Sequence, residues 1–97
     1  MDHYGLKSEV TAFIVEKAQE LSLDKVILFG SRARSDHGDK SDIDLAISGE
    51  GIHSFIDLLE EECPTLLSFD FIDLSDNLDE GFRARILAEG MVLYEQV

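Results

Sequence analysis

The sequence predicts an α/β fold of the α+β type, in which helices pack on one side of a small mixed β-sheet. The hydrophobic pattern changes several times along the chain between the period of a helix and the period of a strand. The connections between these segments are short, and the sequence contains no repeat and no low-complexity segment. Its 97 residues suffice for one domain and not for two, so residues 1–97 are expected to fold as one unit.

The first third of the chain predicts a helix followed by a buried strand. The apolar side chains of Ser8–Glu20 fall on one helical face, with Ser8 as the expected N-cap. Lys25–Phe29 is a short and mostly apolar run that ends at Gly30, which is typical of a buried strand. Ser31 then begins what reads as a short helix, followed by a polar loop.

A second strand carries two carboxylates on one face. The segment Asp42–Ile47 alternates strictly, with three aliphatic side chains on one face and with Asp42 and Asp44 on the other. This pattern predicts a half-buried strand whose exposed face bears both aspartates. The remaining predicted elements are a helix from Ile52 that Pro64 ends, a strand over Ser68–Leu74, a helix through Leu78, Phe82 and Ile86 with Gly90 as its C-cap, and a short strand over Met91–Tyr94.

The composition excludes several functional classes. The net charge is −13, so broad binding to a nucleic-acid backbone is disfavoured. Much of the acidity lies in Asp57–Glu62 and Asp73–Glu80, which we interpret as solvated surface; the alternative is a docking surface for a basic partner. No apolar run is long enough to span a bilayer, and the N-terminus lacks the pattern of a signal peptide, so a cytoplasmic location is expected. Cys63 has no partner for a disulfide and reads as a small, half-buried hydrophobic residue.

Two short motifs are suited to phosphate chemistry. Gly30 allows close approach of a ligand to the backbone, and a helix that begins at Ser31 would present free N–H groups to phosphate oxygens. Asp42 and Asp44 lie on the same face of a strand, where two repelling carboxylates favour a hard cation such as Mg²⁺ between them. Each motif alone is common in proteins without such a role, whereas the two in succession form a more specific pattern.

The segment that joins these motifs resembles the signature of the nucleotidyltransferase superfamily, in particular the minimal nucleotidyltransferases, or MNT domains. That signature runs Gly-Ser-x-Ala-Arg, a short loop, and Ser-Asp-Ile-Asp-Leu. Ser35 stands where a glycine is frequent in the family. The end of the chain, from Ile86 to Glu95, is also similar to the end of such proteins. The matching residues are Gly30, Ser31, Ala33, Arg34, Ser41, Asp42, Ile43, Asp44 and Leu45.

The resemblance implies a nucleotidyltransferase-like fold and a metal site that a third acidic residue on the next strand completes. Asp70 and Asp73 are the candidates, and because they lie three apart on a strand only one can share the face of Asp42 and Asp44. Family position favours Asp70 as the third ligand and general base. Asp73, near the strand end, reads as a solvated or capping residue. Nucleotide binding is expected from Gly30, Ser31, Arg34 and Ser41, with two Mg²⁺ ions held by Asp42, Asp44 and Asp70.

The resemblance also implies an activity and a partner. MNT proteins are often paired with a small helical protein called HEPN, a toxic RNase that the MNT partner adenylylates as its antitoxin. The predicted function is therefore transfer of a nucleoside monophosphate from a nucleoside triphosphate, in particular AMP from ATP, to a hydroxyl of a HEPN partner. Two alternatives are an antitoxin that acts by contact without catalysis and a transferase for a small molecule. The sequence leaves the oligomeric state open.

Overall fold

The computed structural model describes residues 6–30, 42–65 and 67–96. Within these residues three helices and four strands form the mixed α/β arrangement that the sequence predicts. The elements are α1 (Ser8–Glu20), β1 (Lys25–Phe29), β2 (Ile43–Ser48), α2 (Ile52–Glu62), β3 (Phe69–Asp73), α3 (Glu80–Glu89) and β4 (Met91–Glu95). The bounds of α1 and β1 are those predicted, and the terminal strand β4 is present. The short helix predicted from Ser31 lies outside the described residues.

The start of α1 differs from its prediction by one position. Lys7 is the N-cap, with an extended backbone (φ −66°, ψ 148°), and Ser8 is already the first helical residue. The Lys7 carbonyl accepts the first helical hydrogen bonds, from the N–H groups of Val10 and Thr11. The helix therefore begins without a side-chain cap, and the prediction of Ser8 as the N-cap is wrong.

The strands in the described parts of the chain form one sheet in the order β3-β2-β1-β4. β1 runs antiparallel to both β2 and β4, whereas β2 runs parallel to β3. Parallel neighbours need a crossover connection, and α2 supplies it between β2 and β3. The sheet is therefore mixed, as predicted.

The two faces of the sheet bury different clusters of side chains. α1 and α2 cover one face, where Ile14 and Phe55 are fully buried against apolar residues of β1 and β2. α3 covers the other face, where Ile86 packs with Ile27 and Ala46. The predicted packing of helices on one side is therefore correct for α1 and α2 and wrong for α3. Among the described helices, none is long and apolar enough to cross a membrane.

The α3 side of β2 is divided into an acidic part and an apolar part. Ala46 shares its face with Asp44, but Ala46 is fully buried beneath α3 while Asp44 is only partly buried. A small side chain at position 46 lets the helix come close to the sheet. The face predicted to be exposed is consequently open only at the start of β2, where the carboxylates lie.

Gly90 joins α3 to β4 where no larger residue has room. A Cβ atom there would lie 2.4 Å from Ile27 Cγ2 and 2.4 Å from the Ile86 carbonyl oxygen. Gly90 is the C-cap of α3, as predicted, but its φ of −71° is ordinary. Close approach of the chain to β1, and not a left-handed backbone, is therefore the reason for glycine.

Candidate active site

Two carboxylates lie side by side on the neighbouring parallel strands. Asp44 of β2 is paired in register with Asp70 of β3. Adjacent strands are about 4.8 Å apart, and paired residues point to the same face of a sheet. Asp44 is partly buried and Asp70 is exposed. Asp42, also exposed, directly precedes β2 and lies two residues before Asp44, at the same edge of the site.

An aromatic side chain continues this arrangement on the third strand. Phe29 of β1 is paired with Asp44 across the antiparallel ladder. Phe29, Asp44 and Asp70 thus form a row across β1, β2 and β3, which we call the carboxylate row. The row lies on the face of the sheet that α3 partly covers, because Phe29 packs against the cluster around Ile86.

Gly30 contacts the carboxylate row directly. Its φ is +75°, a left-handed conformation that favours glycine. A Cβ atom at this position would lie 2.2 Å from Asp44 Oδ2, so the missing side chain is the space that the carboxylate occupies. The two motifs that sequence analysis combined are therefore in contact in the fold.

Asp73 lies on the opposite face and has a structural partner. It is paired with Ile47 at the end of β3. Its Oδ1 atom accepts hydrogen bonds from the Ser75 backbone N–H at 2.9 Å and from the Ser75 hydroxyl at 2.5 Å. These hydrogen bonds lower the pKa of the Asp73 carboxyl below its ordinary value. Asp73 caps the turn after β3, and the register leaves Asp70 as the β3 carboxylate beside Asp44.

The donor chemistry of Asp42, Asp44 and Asp70 fits a hard divalent cation, because Mg²⁺ prefers carboxylate oxygens. The strand register places two of these three candidate ligands, Asp44 and Asp70, next to each other. In the described part of the chain, however, no group of three His, Cys, Asp or Glu side chains is gathered closely enough to hold a metal ion. The predicted metal site thus has suitable residues on adjacent strands without a preformed three-carboxylate cluster.

A small cavity opens beside Gly30, between the end of β1 and α3. Its volume is about 130 Å³. The rings of Phe29 and Phe82 meet edge to face, with centroids 6.1 Å apart and planes at 79°. We call it the aromatic cavity, and it is lined by Phe29, Gly30, Phe82, Arg85, Ile86 and Glu89.

Two polar residues fix α3 in this position. Asp79 is the N-cap of the helix, and its Oδ2 atom accepts a hydrogen bond from the Phe82 N–H at 3.1 Å. Arg83 donates one hydrogen bond to the Leu74 carbonyl and another, at 2.8 Å, to the Asp76 carbonyl. The guanidinium thereby ties the helix to the loop that follows β3.

Cys63 is not placed for catalysis. It is the C-cap of α2, is half-buried, and packs against the cluster beneath α1 and α2. Burial raises the pKa of the Cys63 thiol to about 11, so the thiol is neutral near pH 7.

The family of the chain follows from its sequence as a whole. The model of the polymerase beta nucleotidyltransferase family matches residues 13–97. The chain belongs to this family. The nucleotidyltransferase match includes β1, β2 and β3, and therefore the whole carboxylate row. Among curated proteins, none matches this nucleotidyltransferase in sequence.

Solved structures share the fold of this nucleotidyltransferase. A crystal structure of a toxin–antitoxin with AMP-PNP matches with a TM-score of 0.68 and 19% identity, over 89% of this chain and 73% of that chain. A mutant of the toxin–antitoxin MntA–HpeT matches with a TM-score of 0.65 and 17% identity, over the same shares of 89% and 73%. At these identities the likeness establishes the fold alone.

Several predicted binding residues of the nucleotidyltransferase lie outside the described residues. These are Ser31, Arg34 and Ser41, whose roles stay predictions. The sequence alone did not indicate that Phe29 lies beside Asp44, and it gave Phe82 only a packing role. The available signal was the position of Phe29 directly before Gly30.

Proposed function

We propose that this nucleotidyltransferase transfers AMP from ATP to a hydroxyl group of a partner protein in a Mg²⁺-dependent reaction. The observation that carries the proposal is the alignment of Asp44 with Asp70 beside Gly30. Among the solved structures of this fold, one is a toxin–antitoxin with AMP-PNP. In another, the MntA–HpeT mutant, two aspartates two positions apart are replaced by glutamate. Asp42 and Asp44 of this chain have the same spacing.

The chemistry follows from the positions of these residues. Asp42, Asp44 and Asp70 would hold two Mg²⁺ ions, which when bound neutralise the triphosphate and stabilise the attacking and leaving oxygens. Gly30 and the predicted helix start at Ser31 hold the triphosphate. Asp70 accepts the proton of the acceptor hydroxyl while that oxygen bonds to the α-phosphorus. The bond from the α-phosphorus to the bridging oxygen breaks, and pyrophosphate leaves.

Electrostatics favours a protein acceptor over a nucleic acid. A net charge of −13 repels polyanions and steers basic partners towards the domain. In Asp57–Glu62, all four carboxylate residues are exposed on α2 and are available for such steering. In the run Asp73–Glu80, Asp73 and Asp79 also accept local hydrogen bonds, and they keep their negative charge while doing so. The family resemblance favours a HEPN toxin as this partner, with a tyrosine hydroxyl as the acceptor.

A second candidate is an antitoxin that neutralises its partner by contact alone. The observation that favours it is the absence, among residues 6–30, 42–65 and 67–96, of three side chains already gathered around a metal position. An antitoxin that acts only by contact binds its partner through the surface of the domain and does not need the carboxylate row for catalysis.

The test is to incubate the protein, ATP and Mg²⁺ with the protein encoded by the neighbouring gene, and to weigh that protein intact. We expect the mass of one or more adenylyl groups, and we expect EDTA to prevent the addition. A stable complex with no added mass would favour the contact antitoxin. Consumption of ATP without modification of the neighbour would favour a small-molecule acceptor.

Matched variants assign the reaction to the carboxylate row. Asp44→Asn and Asp70→Asn are expected to lose transfer, since each removes a charged oxygen ligand. Asp73→Asn is the control on the same strand, because Asp73 faces away and caps the turn. It should retain transfer and lose only some thermal stability. Loss of activity in Asp73→Asn together with an active Asp70→Asn would contradict the assignment.

A further inference from the structure

The aromatic cavity lies between α3 and the end of β1, at the β1 end of the carboxylate row. Phe82, Arg85, Ile86 and Glu89 have the spacing of a single helical face, so α3 presents all four to the end of β1. Ile86 is buried and forms the floor of the cavity. Phe82 is 37% exposed, which is unusual for a large aromatic side chain and leaves part of its ring surface accessible.

The arrangement of the two rings leaves room for a third. Phe29 and Phe82 are nearly perpendicular, so their contact uses the edge of one ring and one face of the other. A further flat ring can stack on a face that this contact leaves free. An apolar cavity of roughly 150 Å³ holds benzene. The aromatic cavity, at about 130 Å³ and open at one side, is close to this size, so it can enclose one ring of a base while the rest of the base extends beyond its open side.

Gly30 identifies the molecule to which such a ring belongs. The same glycine lines the aromatic cavity and contacts the Asp44 carboxylate, where the proposed function places the triphosphate. The acceptor hydroxyl belongs at Asp70, two strands away and therefore roughly 10 Å from Phe29. A ring beside Gly30 is thus part of the nucleotide and not part of the acceptor.

We propose that the aromatic cavity binds the nucleobase of the nucleoside triphosphate, stacked on Phe82. This inference rests on the proposed function and assigns its base-binding site. Arg85 and Glu89, one helical turn apart at the rim, supply a hydrogen-bond donor and an acceptor to the edge of the base. A carboxylate acceptor at Glu89 favours a base with an exocyclic amino group, such as adenine, over uracil.

The experiment compares two ligands, each with Mg²⁺, by isothermal titration calorimetry. ATP has a base, whereas inorganic tripolyphosphate has only the phosphate chain. Phe82→Leu keeps an apolar side chain and removes the ring, and Phe82→Tyr keeps the ring. Base–aromatic stacking contributes about 1–3 kcal/mol, so Phe82→Leu should weaken ATP binding by about 5- to 150-fold. Tripolyphosphate binding should not change, and Phe82→Tyr should bind ATP like the wild type.

Leu87→Ala is the matched control on the same helix. Leu87 is 55% exposed and does not line the aromatic cavity, so its removal should leave both ligands unaffected. Equal ATP affinity in the wild type and in Phe82→Leu would overturn the base site and leave the proposed function standing. Equal losses of ATP and tripolyphosphate in Phe82→Leu would also overturn it, since the ring would then support the phosphates or the fold. A wild-type protein that binds neither ligand would contradict the proposed function and the base site together.

Discussion

Replacing Gly30 by alanine tests the contact on which the site depends. Gly30 has a φ of +75°, and an L-residue in the left-handed region costs about 1–2 kcal/mol. The new Cβ would also lie 2.2 Å from Asp44 Oδ2, so the carboxylate must turn away. Forcing a side chain off its rotamer costs about 0.5–1.5 kcal/mol. The two effects together predict a loss of about 1.5–3.5 kcal/mol in the free energy of unfolding.

Thermal unfolding followed by circular dichroism measures this loss. For a domain of this size each kcal/mol corresponds to about 4–8 °C, so the Tm should fall by roughly 6–28 °C. Gly81→Ala is the control, because Gly81 is helical and its added Cβ would meet only Asp79 Oδ2, at 3.1 Å. That change should alter the Tm by less than Gly30→Ala does, since alanine favours a helix over glycine and only the Asp79 carboxylate that caps α3 has to adjust.

A double-mutant cycle separates the two effects at Gly30. In an Asp44→Ala background the collision with the carboxylate is absent and only the backbone cost remains. Gly30→Ala should then be less destabilising by about 0.5–1.5 kcal/mol than in the wild type. A Tm that Gly30→Ala leaves unchanged, or a cycle without coupling, would refute the contact between Gly30 and Asp44.

Three further predictions concern single positions. Gly90→Ala should lower the free energy of unfolding in urea by about 1–3 kcal/mol or more, because the new Cβ would overlap the Ile86 carbonyl and Ile27; a stability equal to the wild type would contradict the packing described. Asp79→Ala removes the N-cap of α3 and should cost about 1 kcal/mol by the same measurement, whereas Asp79→Asn should retain most of the cap. The pKa of the Cys63 thiol is raised from 9.0 to about 11, so the folded protein has about 100-fold less thiolate at pH 8 than the unfolded protein. The thiolate of higher pKa is roughly tenfold more nucleophilic, so iodoacetamide should react about tenfold more slowly with the folded protein. Equal rates would show that the thiol is not buried.

Local patterns in the sequence were sufficient to predict most of the helices and strands. The apolar spacing in α1 and the apolar run in β1 gave their bounds, because both elements bury side chains at the period of their own backbone. Alternation along β3 placed Asp70 and Asp73 on opposite faces, and the family resemblance favoured Asp70 as the residue beside Asp44. These inferences needed no knowledge of distant contacts.

Features that depend on distant contacts could not be predicted in this way. The pattern of α3 indicated a helix, but with only Ile86 buried it carried no information about which face of the sheet the helix covers. The aromatic cavity joins Phe29 to Phe82, which are far apart in the chain and belong to no common local motif. The N-cap of α1 was misplaced because Lys7 supplies only its backbone carbonyl, which any residue could provide.

The attachment of α3 has a consequence for the dynamics of the domain. Three residues of α1 and three of α2 are buried, but only one of α3, so α3 should open locally at a lower free energy than the rest of the core. Its amide hydrogens should therefore exchange with solvent earlier than those of α1 and α2. A ligand that binds only the closed helix, at 100 times its Kd, adds about 2.7 kcal/mol to that opening and slows exchange by about 100-fold. Binding of the proposed nucleotide would therefore increase the protection of the α3 amides, which would make hydrogen exchange a measure of that binding.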